Sequence, residues 1–420
     1  MIKVGPALGI LTAAIWFCSP ALAPAQAPEA PSLSLPEALR LTLGRNPTVK
    51  AFAARERAAV ARRADAGKLA NPDLAFTTEN LGIHSRRETR ITLRQPLHFG
   101  GERMAHRDLA QALALQASQA LNAAERALLS ATAERFFDVW ALQERAALLN
   151  KGLALADEAT AAATARFRAG AAPESERMRA EVQRALRASE AQKAVLQLGT
   201  ARRILALQWQ GDPAVGSVSL GRPDAGPVPP VDSLLAHIAL HPEQLGAAAA
   251  VAVEEARLRA ARAARAPEVA LEGGLKRLEE VGATGFVAGV TLSVPLWNQS
   301  HGSVNAAAAE RDAAVAQQDA VRASLTVEVE SARGRLLAAL HSMAALRQEV
   351  APRAEQALSL VQSGYRAGRF SYLDLAEAER ALLEAELAGA DAFVEAWRAK
   401  LELERIGGGP RLEAGEGGMR

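Results

Sequence analysis

The sequence predicts a mainly α-helical fold with a small β part, in which one structural unit occurs twice. Three short segments return in the same order about half the chain apart. They are residues 167–170 and 365–368 (offset 198), 92–97 and 291–296 (offset 199), and 45–47 and 240–242 (offset 195). This nearly constant spacing indicates an internal duplication, with the order helix, two strands, long helix, turn, long helix in each copy.

The composition favours long helices over a compact catalytic domain. Hydrophobic residues make up 49% of the 420 residues, whereas aromatic residues make up only 4%. The apolar share is therefore mostly alanine and leucine, which form helices readily and pack closely. The formal net charge of +2 implies no polyanionic partner, so no nucleic-acid function is expected.

Residues 1–25 are predicted to be a signal peptide. Lys3 supplies its positive end, residues 4–18 are mostly apolar, and residues 23–25 form an Ala-Pro-Ala cleavage motif. Cys18, the sole cysteine, falls in this segment, so the mature chain is expected to have neither a disulfide nor a thiolate metal site. Since no other stretch is long and apolar enough for a transmembrane helix, a membrane role would need β-strands.

The first copy is assigned to residues 26–210 and the second to residues 232–406. A segment rich in proline and glycine at 211–231 is interpreted as the linker, and the tail 407–420 is expected to be disordered. Alternating apolar and polar residues predict two strands in each copy. These strands are expected at about 73–80, 88–97, 268–277 and 285–295.

Helix-forming residues between these strands and turns predict long helices. They are expected at about 34–68, 102–168 and 174–209 in the first copy, and at about 232–265, 302–366 and 370–406 in the second. The helix at 102–168 would be a rod of about 100 Å, far longer than a globular-domain helix.

The strands have the length of tilted transmembrane β-strands. An open sheet edge cannot face lipid, and four strands cannot close a barrel, so closure requires several chains. Because a barrel of eight strands is filled by side chains and a larger one leaves a channel, a conduit favours a trimer whose 12-stranded β-barrel is continued by a long α-helical barrel. The alternative is a soluble helical array with hairpin inserts, which leaves the signal peptide and the half-polar strands without a purpose.

The duplicated plan, the strand ends at Pro96 and Pro295, and the turns at 167–170 and 365–368 resemble the TolC-type outer-membrane factors. Residues 95–103 most resemble the CzcC-like branch, which works with heavy-metal exporters. The resemblance implies a homotrimeric exit duct in the outer membrane of a Gram-negative cell, extending into the periplasm. It also implies two protein partners, a periplasmic adaptor and an inner-membrane RND-type transporter, and neither a cofactor nor catalysis.

The resemblance further implies that the two helix–helix turns form a periplasmic tip that contacts the adaptor. The predicted tip residues are Arg168, Ala169, Gly170, Ala171, Arg366, Ala367, Gly368 and Arg369. From the residues alone, the two glycines are also explained as ordinary C-cap glycines, which adopt the left-handed conformation that a helix end needs.

A gate at the periplasmic entrance is implied for Tyr365, Asp374 and Glu377. Asp374 and Glu377 lie three residues apart and therefore on one helix face, where a trimer would arrange them in an acidic ring that attracts cations. The alternative is that both carboxylates only favour the positive N-terminal end of their helix. The first-copy equivalents are Phe167, Glu176 and Arg179, so the acidic pair is not duplicated.

His237 and His241 lie four residues apart, a spacing that could place two metal ligands on one helix face. No third ligand lies near them in sequence, and His241 takes the place of Asn46 at a helix stop before proline, so no metal site is predicted.

Other functions remain open at this point: the same duct for drugs, solvents or secreted polypeptide, a periplasmic adaptor, or an enzyme. Two helical hairpins with four matched strands disfavour the adaptor, and the absence of a catalytic motif disfavours the enzyme.

Overall fold

The computed structural model describes residues 32–82, 87–97, 101–211, 216–220, 228, 230–294, 297 and 299–406. The predicted signal peptide and the predicted tail lie outside the described residues. The prediction of a mainly helical fold with a small β part is confirmed, because helices dominate the described chain and the main sheet has four strands.

In the first copy, the helix predicted at 34–68 is two helices, α1 (Leu35–Arg45) and α2 (Pro47–Asp65). The break lies at Asn46, because the following proline cannot continue a helix from its preceding turn. The Asn46 side chain accepts a hydrogen bond from the Thr48 backbone nitrogen at 2.8 Å and donates one to the Gln208 carbonyl at 2.7 Å. The side chain therefore caps α2 and ties it to the end of the return helix.

The first helical hairpin consists of α3 (Glu102–Arg168) and α4 (Glu174–Leu207). The 67 residues of α3 span about 100 Å at the usual helical rise. This helix packs against α4 and also against helices of the second copy. It is the element that joins the two copies along their length.

The main sheet is antiparallel and takes two strands from each copy. Its order is β2 (Asp73–Glu79), β3 (Glu88–Leu97), β5 (Glu268–Leu278) and β6 (Ala283–Ser293). The last strand begins and ends two residues before the predicted 285–295. Because β3 pairs directly with β5, the sheet forms only when both copies contribute.

The two faces of this sheet differ in polarity. One cross-strand row pairs Phe76 with Ile91, Leu275 and Phe286, and the side chains of this row are exposed. The opposite face carries charged residues, including a pair in which Lys276 Nζ lies 2.5 Å from Glu88 Oε2. The period of two along each strand separates these two sets of side chains.

The segment predicted as a linker, 211–231, contains structure that the sequence did not indicate. Its described part includes β4 (Val218–Ser219), which pairs in parallel with β1 (Leu33–Ser34). The side chain of Gln143 on α3 also bonds the backbone of Val218 in both directions, at 3.1 and 3.2 Å. The start of the chain's described part and the linker are therefore held against the first hairpin.

The second copy repeats the helix break of the first. The helix predicted at 232–265 consists of α5 (Val231–His237), a 3-10 turn and α6 (Pro242–Ala263), with His241 at the cap position. The proline after His241 again requires a new helix start.

The second helical hairpin differs from the first in one respect. The rod predicted at 302–366 is α7 (His301–Ala345), a π-helical turn over Leu346–Val350, and α8 (Ala351–Arg366). The π-turn ends two residues before Pro352, whose ring and missing N–H disrupt regular helical bonding to the preceding turn. The return helix is α9 (Tyr372–Ile406).

The core consists of layers between helices. Phe136, Phe137 and Val139 of α3 are fully buried, and Trp140 stacks on Phe393 of α9 with ring centroids 4.6 Å apart. A second cluster lies between α7 and α9, and a third near the helix–helix turns includes Tyr365.

In the part of the chain that the structure describes, no helix is long and apolar enough to cross a membrane.

Candidate functional site

The two helix–helix turns have the same backbone geometry. Gly170 and Gly368 have φ angles of +70° and +72°, and each donates its N–H to the carbonyl three residues earlier, at 2.9 and 3.0 Å. The next residue donates to the carbonyl five residues earlier, at 2.8 Å in both turns. This pair of bonds is the Schellman arrangement, so both glycines are left-handed C-caps, as their positions allowed us to predict.

All eight predicted tip residues are exposed, and they form the outer surface of these two turns. They are Arg168, Ala169, Gly170, Ala171, Arg366, Ala367, Gly368 and Arg369. No neighbouring atom lies within 4 Å of the position that a Cβ would take on either glycine. The glycines are therefore required by backbone conformation and not by close packing.

Tyr365 lies just before the second turn, buried between the two hairpins. It is only 1% exposed, whereas its first-copy equivalent Phe167 is 36% exposed. The Tyr365 hydroxyl donates a hydrogen bond to Glu176 Oε1 at 2.7 Å. Burial and this carboxylate raise the pKa of Tyr365 well above its ordinary value, so the hydroxyl remains a donor at all physiological pH values.

Arg166 completes this contact. Its Nη1 donates to the Tyr365 carbonyl at 2.8 Å, its guanidinium lies 4.5 Å from the centre of the Tyr365 ring, and its Nε lies 3.8 Å from Glu176. We call Tyr365, Glu176 and Arg166 the hairpin latch, because they join α8 of the second copy to α3 and α4 of the first. Tyr365 could be singled out from the sequence, whereas its partners could not. The one available signal was that Arg166 differs from its second-copy equivalent Gly364.

Asp374 caps the start of α9. Its Oδ2 accepts hydrogen bonds from the backbone nitrogen and the hydroxyl of Ser371, both at 2.8 Å, and the Ser371 hydroxyl accepts from the Asp374 nitrogen at 3.3 Å. These two bonds from Ser371 lower the pKa of Asp374. Within one chain, the contacts of Asp374 are therefore those of a residue that stabilises the start of a helix, which is the alternative interpretation given above.

Glu377 lies one turn further along α9, and its side chain is 68% exposed. Both of its carboxylate oxygens accept from Arg380 Nη2, at 2.7 and 2.9 Å. Thus the polar contacts of Asp374 and Glu377 are local, on α9 and at its start, whereas Tyr365 contacts the other hairpin. Within a single chain, the three predicted gate residues do not form one cluster of mutual contacts.

Glu379, which the sequence argument did not single out, lies close to this region. It is partly buried, and burial raises its pKa to about 7, with Arg187 opposing the shift and Glu158 adding to it. Burial also raises the pKa of nearby Tyr372 to about 12. No sequence pattern marks Glu379, because its unusual environment arises from packing against the other hairpin.

The two histidines lie on different elements and make separate local contacts. His241 is 2% exposed, and its Nδ1 accepts from the Glu243 backbone nitrogen at 3.3 Å, so it caps α6 as Asn46 caps α2. His237 lies at the end of a different helix and its Nδ1 is 2.6 Å from the Ser233 carbonyl. Over the described residues, no group of three or more His, Cys, Asp or Glu side chains is arranged to hold a metal ion.

The long paired hairpins and the sheet with one exposed apolar face are the elements of a channel subunit. The chain belongs to the outer membrane efflux protein family, whose model matches residues 38–208 and again residues 237–409. The two matches follow the two copies of the structural unit.

Curated relatives agree with this membership. The chain is 28% identical to the cobalt-zinc-cadmium resistance protein CzcC of Cupriavidus metallidurans, over 89% of this chain and 90% of that protein. It is 31% identical to the nickel and cobalt resistance protein CnrC of the same species, over 76% of each chain. It is 30% identical to the nickel-cobalt-cadmium resistance protein NccC of Alcaligenes xylosoxydans xylosoxydans, over 74% of this chain and 72% of that protein.

Solved structures share the fold. The outer-membrane channel OprN has a TM-score of 0.76 at 21% identity, with 90% of both chains covered. CusC has a TM-score of 0.78 at 17% identity, covering 90% of this chain and 92% of that one. VceC of Vibrio cholerae has a TM-score of 0.76 at 19% identity, covering 89% and 96% respectively.

Proposed function

We propose that this protein is the outer-membrane exit duct of a tripartite efflux pump that exports heavy-metal cations. It works with a periplasmic adaptor and an inner-membrane RND-type transporter. The proposal of a metal cargo is supported by the three relatives above, all of which are named for resistance to divalent metals. The transporter selects the cargo, and the duct provides the path across the outer membrane.

The observation that carries the proposal is the exposed apolar face of the main sheet. Phe76 is 70% exposed, Val290 is 70% exposed and Phe286 is 92% exposed. A contiguous apolar surface of this kind on a soluble protein would promote aggregation, whereas lipid would cover it. The charged opposite face then lines an aqueous interior, as in transmembrane barrels.

The edges of the sheet support assembly into a homotrimer. Strands β2 and β6 each have one neighbour in the sheet, so each chain offers two open edges. Three chains supply twelve strands and close the sheet into a barrel. The helices offer a matching surface, because α4 exposes Met178, Val182 and Leu186 at 56%, 58% and 53% in a row with a spacing of four.

In each copy, the long helix begins next to the strands and ends at the helix–helix turn. The tips and the gate therefore lie at the ends of the helices that are farthest from the strands. The eight exposed tip residues are therefore the proposed adaptor contact in the periplasm. Tyr365 is the proposed gate residue that holds the two hairpins together, and Asp374 and Glu377 are the proposed acidic residues of the entrance. In the closed duct, the hairpin latch keeps the helix ends together, and adaptor binding at the tips would release it.

A substitution on the apolar face tests the membrane assignment. We expect Phe76→Lys to abolish recovery in the outer-membrane fraction, because a lysine facing the middle of the lipid costs about 2–4 kcal/mol. Ala75→Lys is the matched control, since the adjacent residue points to the other face of the same strand. Equal recovery of both variants would contradict the assignment of the apolar face to lipid.

Deletion of the gene in its host, with the gene returned on a plasmid, tests the cargo. We expect the deletion strain to become sensitive to cobalt, zinc, cadmium or nickel salts and the returned gene to restore resistance. The mature protein should fractionate with outer membranes and run as a trimer in mild detergent. Sensitivity to organic dyes in place of metals would contradict the metal cargo, and a soluble periplasmic monomer would contradict the duct itself.

A further inference from the structure

A basic groove lies between the end of α2 and the first turns of α3. Its walls include the cationic side chains Arg63, Lys68, Arg103 and Arg107, and they enclose a cavity of about 630 Å³. The apolar side chain of Met104, which is 71% exposed, forms part of the same wall. The groove was not indicated by the sequence, because its two walls lie some forty residues apart and meet only when β2 and β3 pair.

The charges of this groove are largely unneutralised. Lys68 pairs with Asp65 at 2.5 Å, and Arg103 Nε donates to the Gly67 carbonyl at 2.6 Å. Within the described ranges of the chain, Arg63 and Arg107 have no carboxylate within 4.0 Å. Four basic side chains against one carboxylate leave a local charge of +3 (4 − 1).

The position of the groove relates it to the membrane. Lys68 lies five residues before the start of β2, and Arg103 lies six residues after the end of β3. On the same end of the sheet, the apolar face begins with Leu74, which is 74% exposed. The groove therefore adjoins the end of the sheet at which β2 begins and β3 ends, a level where arginine and lysine side chains would meet lipid headgroups. This step rests on the proposed function, since it requires the sheet to lie in the outer membrane.

We propose that this groove binds the phosphate headgroup of an anionic phospholipid in the periplasmic leaflet of the outer membrane. Arg63 and Arg107 are the principal ligands, because a guanidinium binds phosphate through two parallel hydrogen bonds and neither has an internal ion pair. The bond from Arg103 to the Gly67 carbonyl holds the floor of the groove in place. Met104 lies against the apolar part of the lipid. The bound lipid fixes the depth of the duct in the membrane and links α2 to α3 at the point where helices become strands.

Native mass spectrometry of the intact, assembled protein in mild detergent tests the proposal. The delipidated protein is incubated with phosphatidylglycerol, with zwitterionic phosphatidylcholine, or with inorganic phosphate alone, and the retained molecules per chain are counted. We expect the parent to retain phosphatidylglycerol in preference to phosphatidylcholine. The Arg63→Gln/Arg107→Gln variant should bind it at least about tenfold more weakly, because two charge-assisted contacts are lost.

The matched control is Arg57→Gln/Arg62→Gln, which removes the same charge from exposed positions of α2 outside the groove. It should retain the lipid as the parent does. Equal loss in both variants would show a non-specific charge effect and overturn the proposal. Retention of inorganic phosphate without phosphatidylglycerol would overturn the lipid as the source of the phosphate.

Two further outcomes separate this proposal from the others. If the groove variant lost its trimer while its remaining trimers kept their lipid, the groove would be a contact between chains and the proposal would be wrong. If the parent were absent from the outer-membrane fraction, the proposed function would fail instead. Recovery of the parent as an outer-membrane trimer without bound anionic lipid would overturn only the groove assignment.

Discussion

Replacing His241 with asparagine should reduce the loss of folding stability at acidic pH that the burial of this histidine causes. His241 is 2% exposed, and its pKa is lowered from 6.5 to about 4, first by burial and then by Arg405. Because the folded pKa lies below the unfolded value, the unfolded chain binds more protons between these two values. The contribution of neutral His241 to the free energy of unfolding is thus fully present above pH 6.5 and is lost as the pH falls through 4.

The magnitude follows from the same two pKa values. At pH 5, protonation favours the unfolded chain by a factor of about 30, which corresponds to about 2 kcal/mol for each chain. An asparagine at this position keeps the cap, since Asn46 caps α2 in the equivalent place with a bond of 2.8 Å. We expect His241→Asn to be less stable than the parent at pH 7.5, because packing is lost. It should lose less stability on acidification, because the asparagine amide does not gain a proton.

Denaturant unfolding of the assembled protein at pH 7.5 and pH 5, followed by circular dichroism, measures this effect. The parent should lose about 2 kcal/mol per chain more than His241→Asn between these pH values. Other titrating groups are shared by both proteins, so the difference isolates one imidazole. His237→Asn, at an exposed histidine, is the matched control and should behave as the parent. An identical pH dependence in the parent and His241→Asn would refute the reasoning.

Three other variants address the tips and the gate. Tyr365→Phe keeps the ring beneath Arg166 but removes the latch hydroxyl, a loss of roughly 1.5–3 kcal/mol for a bond to a carboxylate. Single-channel recordings in planar bilayers should then show more frequent opening. Gly368→Val, or its equivalent at Gly170, should strain a left-handed cap by roughly 1–2 kcal/mol or more. Metal resistance should fall while trimer yield stays near normal. The double change Asp374→Asn and Glu377→Gln should reduce cation selectivity and block by divalent ions from the periplasmic side, measured as reversal potential and current.

Two of these variants have a matched control within the chain. Tyr372→Phe changes a neighbouring ring whose hydroxyl is not bonded to Glu176, and it should leave opening unchanged. Gly368→Asn should retain resistance, because asparagine tolerates the left-handed conformation. Unaltered selectivity in the double acidic variant would mean that these carboxylates serve only the start of α9. Parallel loss of trimer and resistance in Gly368→Val would mean that the glycine serves folding alone.

Local rules predicted the parts of the fold that depend on neighbouring residues. The strands follow from alternation over about ten residues, and the caps at Gly170 and Gly368 follow from glycine after a long helix. The breaks before Pro47 and Pro242 were also readable, since a capping side chain precedes each proline. The single helices expected across residues 34–68 and 232–265 overlooked this pattern.

Long-range contacts were not predictable in this way. The pairing of Leu33 with Val218 involves strands of two residues, which are too short to show a period. The partners of Tyr365 lie 189 and 199 residues away in the chain. The buried environments of His241 and Glu379 arise from packing against helices that are distant in sequence, and their residue types alone do not indicate these environments.

The duplication has an evolutionary consequence that the latch makes visible. A single unduplicated copy would carry one hairpin and two strands, so every hairpin in an assembly of such copies would be identical. The present chain places a tyrosine at the second tip where the first has Phe167, and an arginine at the first where the second has Gly364. A hydrogen-bond donor on one hairpin can then contact an acceptor on the next hairpin, and neither hairpin has to carry both groups. Two copies within one polypeptide thus allow neighbouring hairpins to carry unlike residues, so that a contact between two different partners can form.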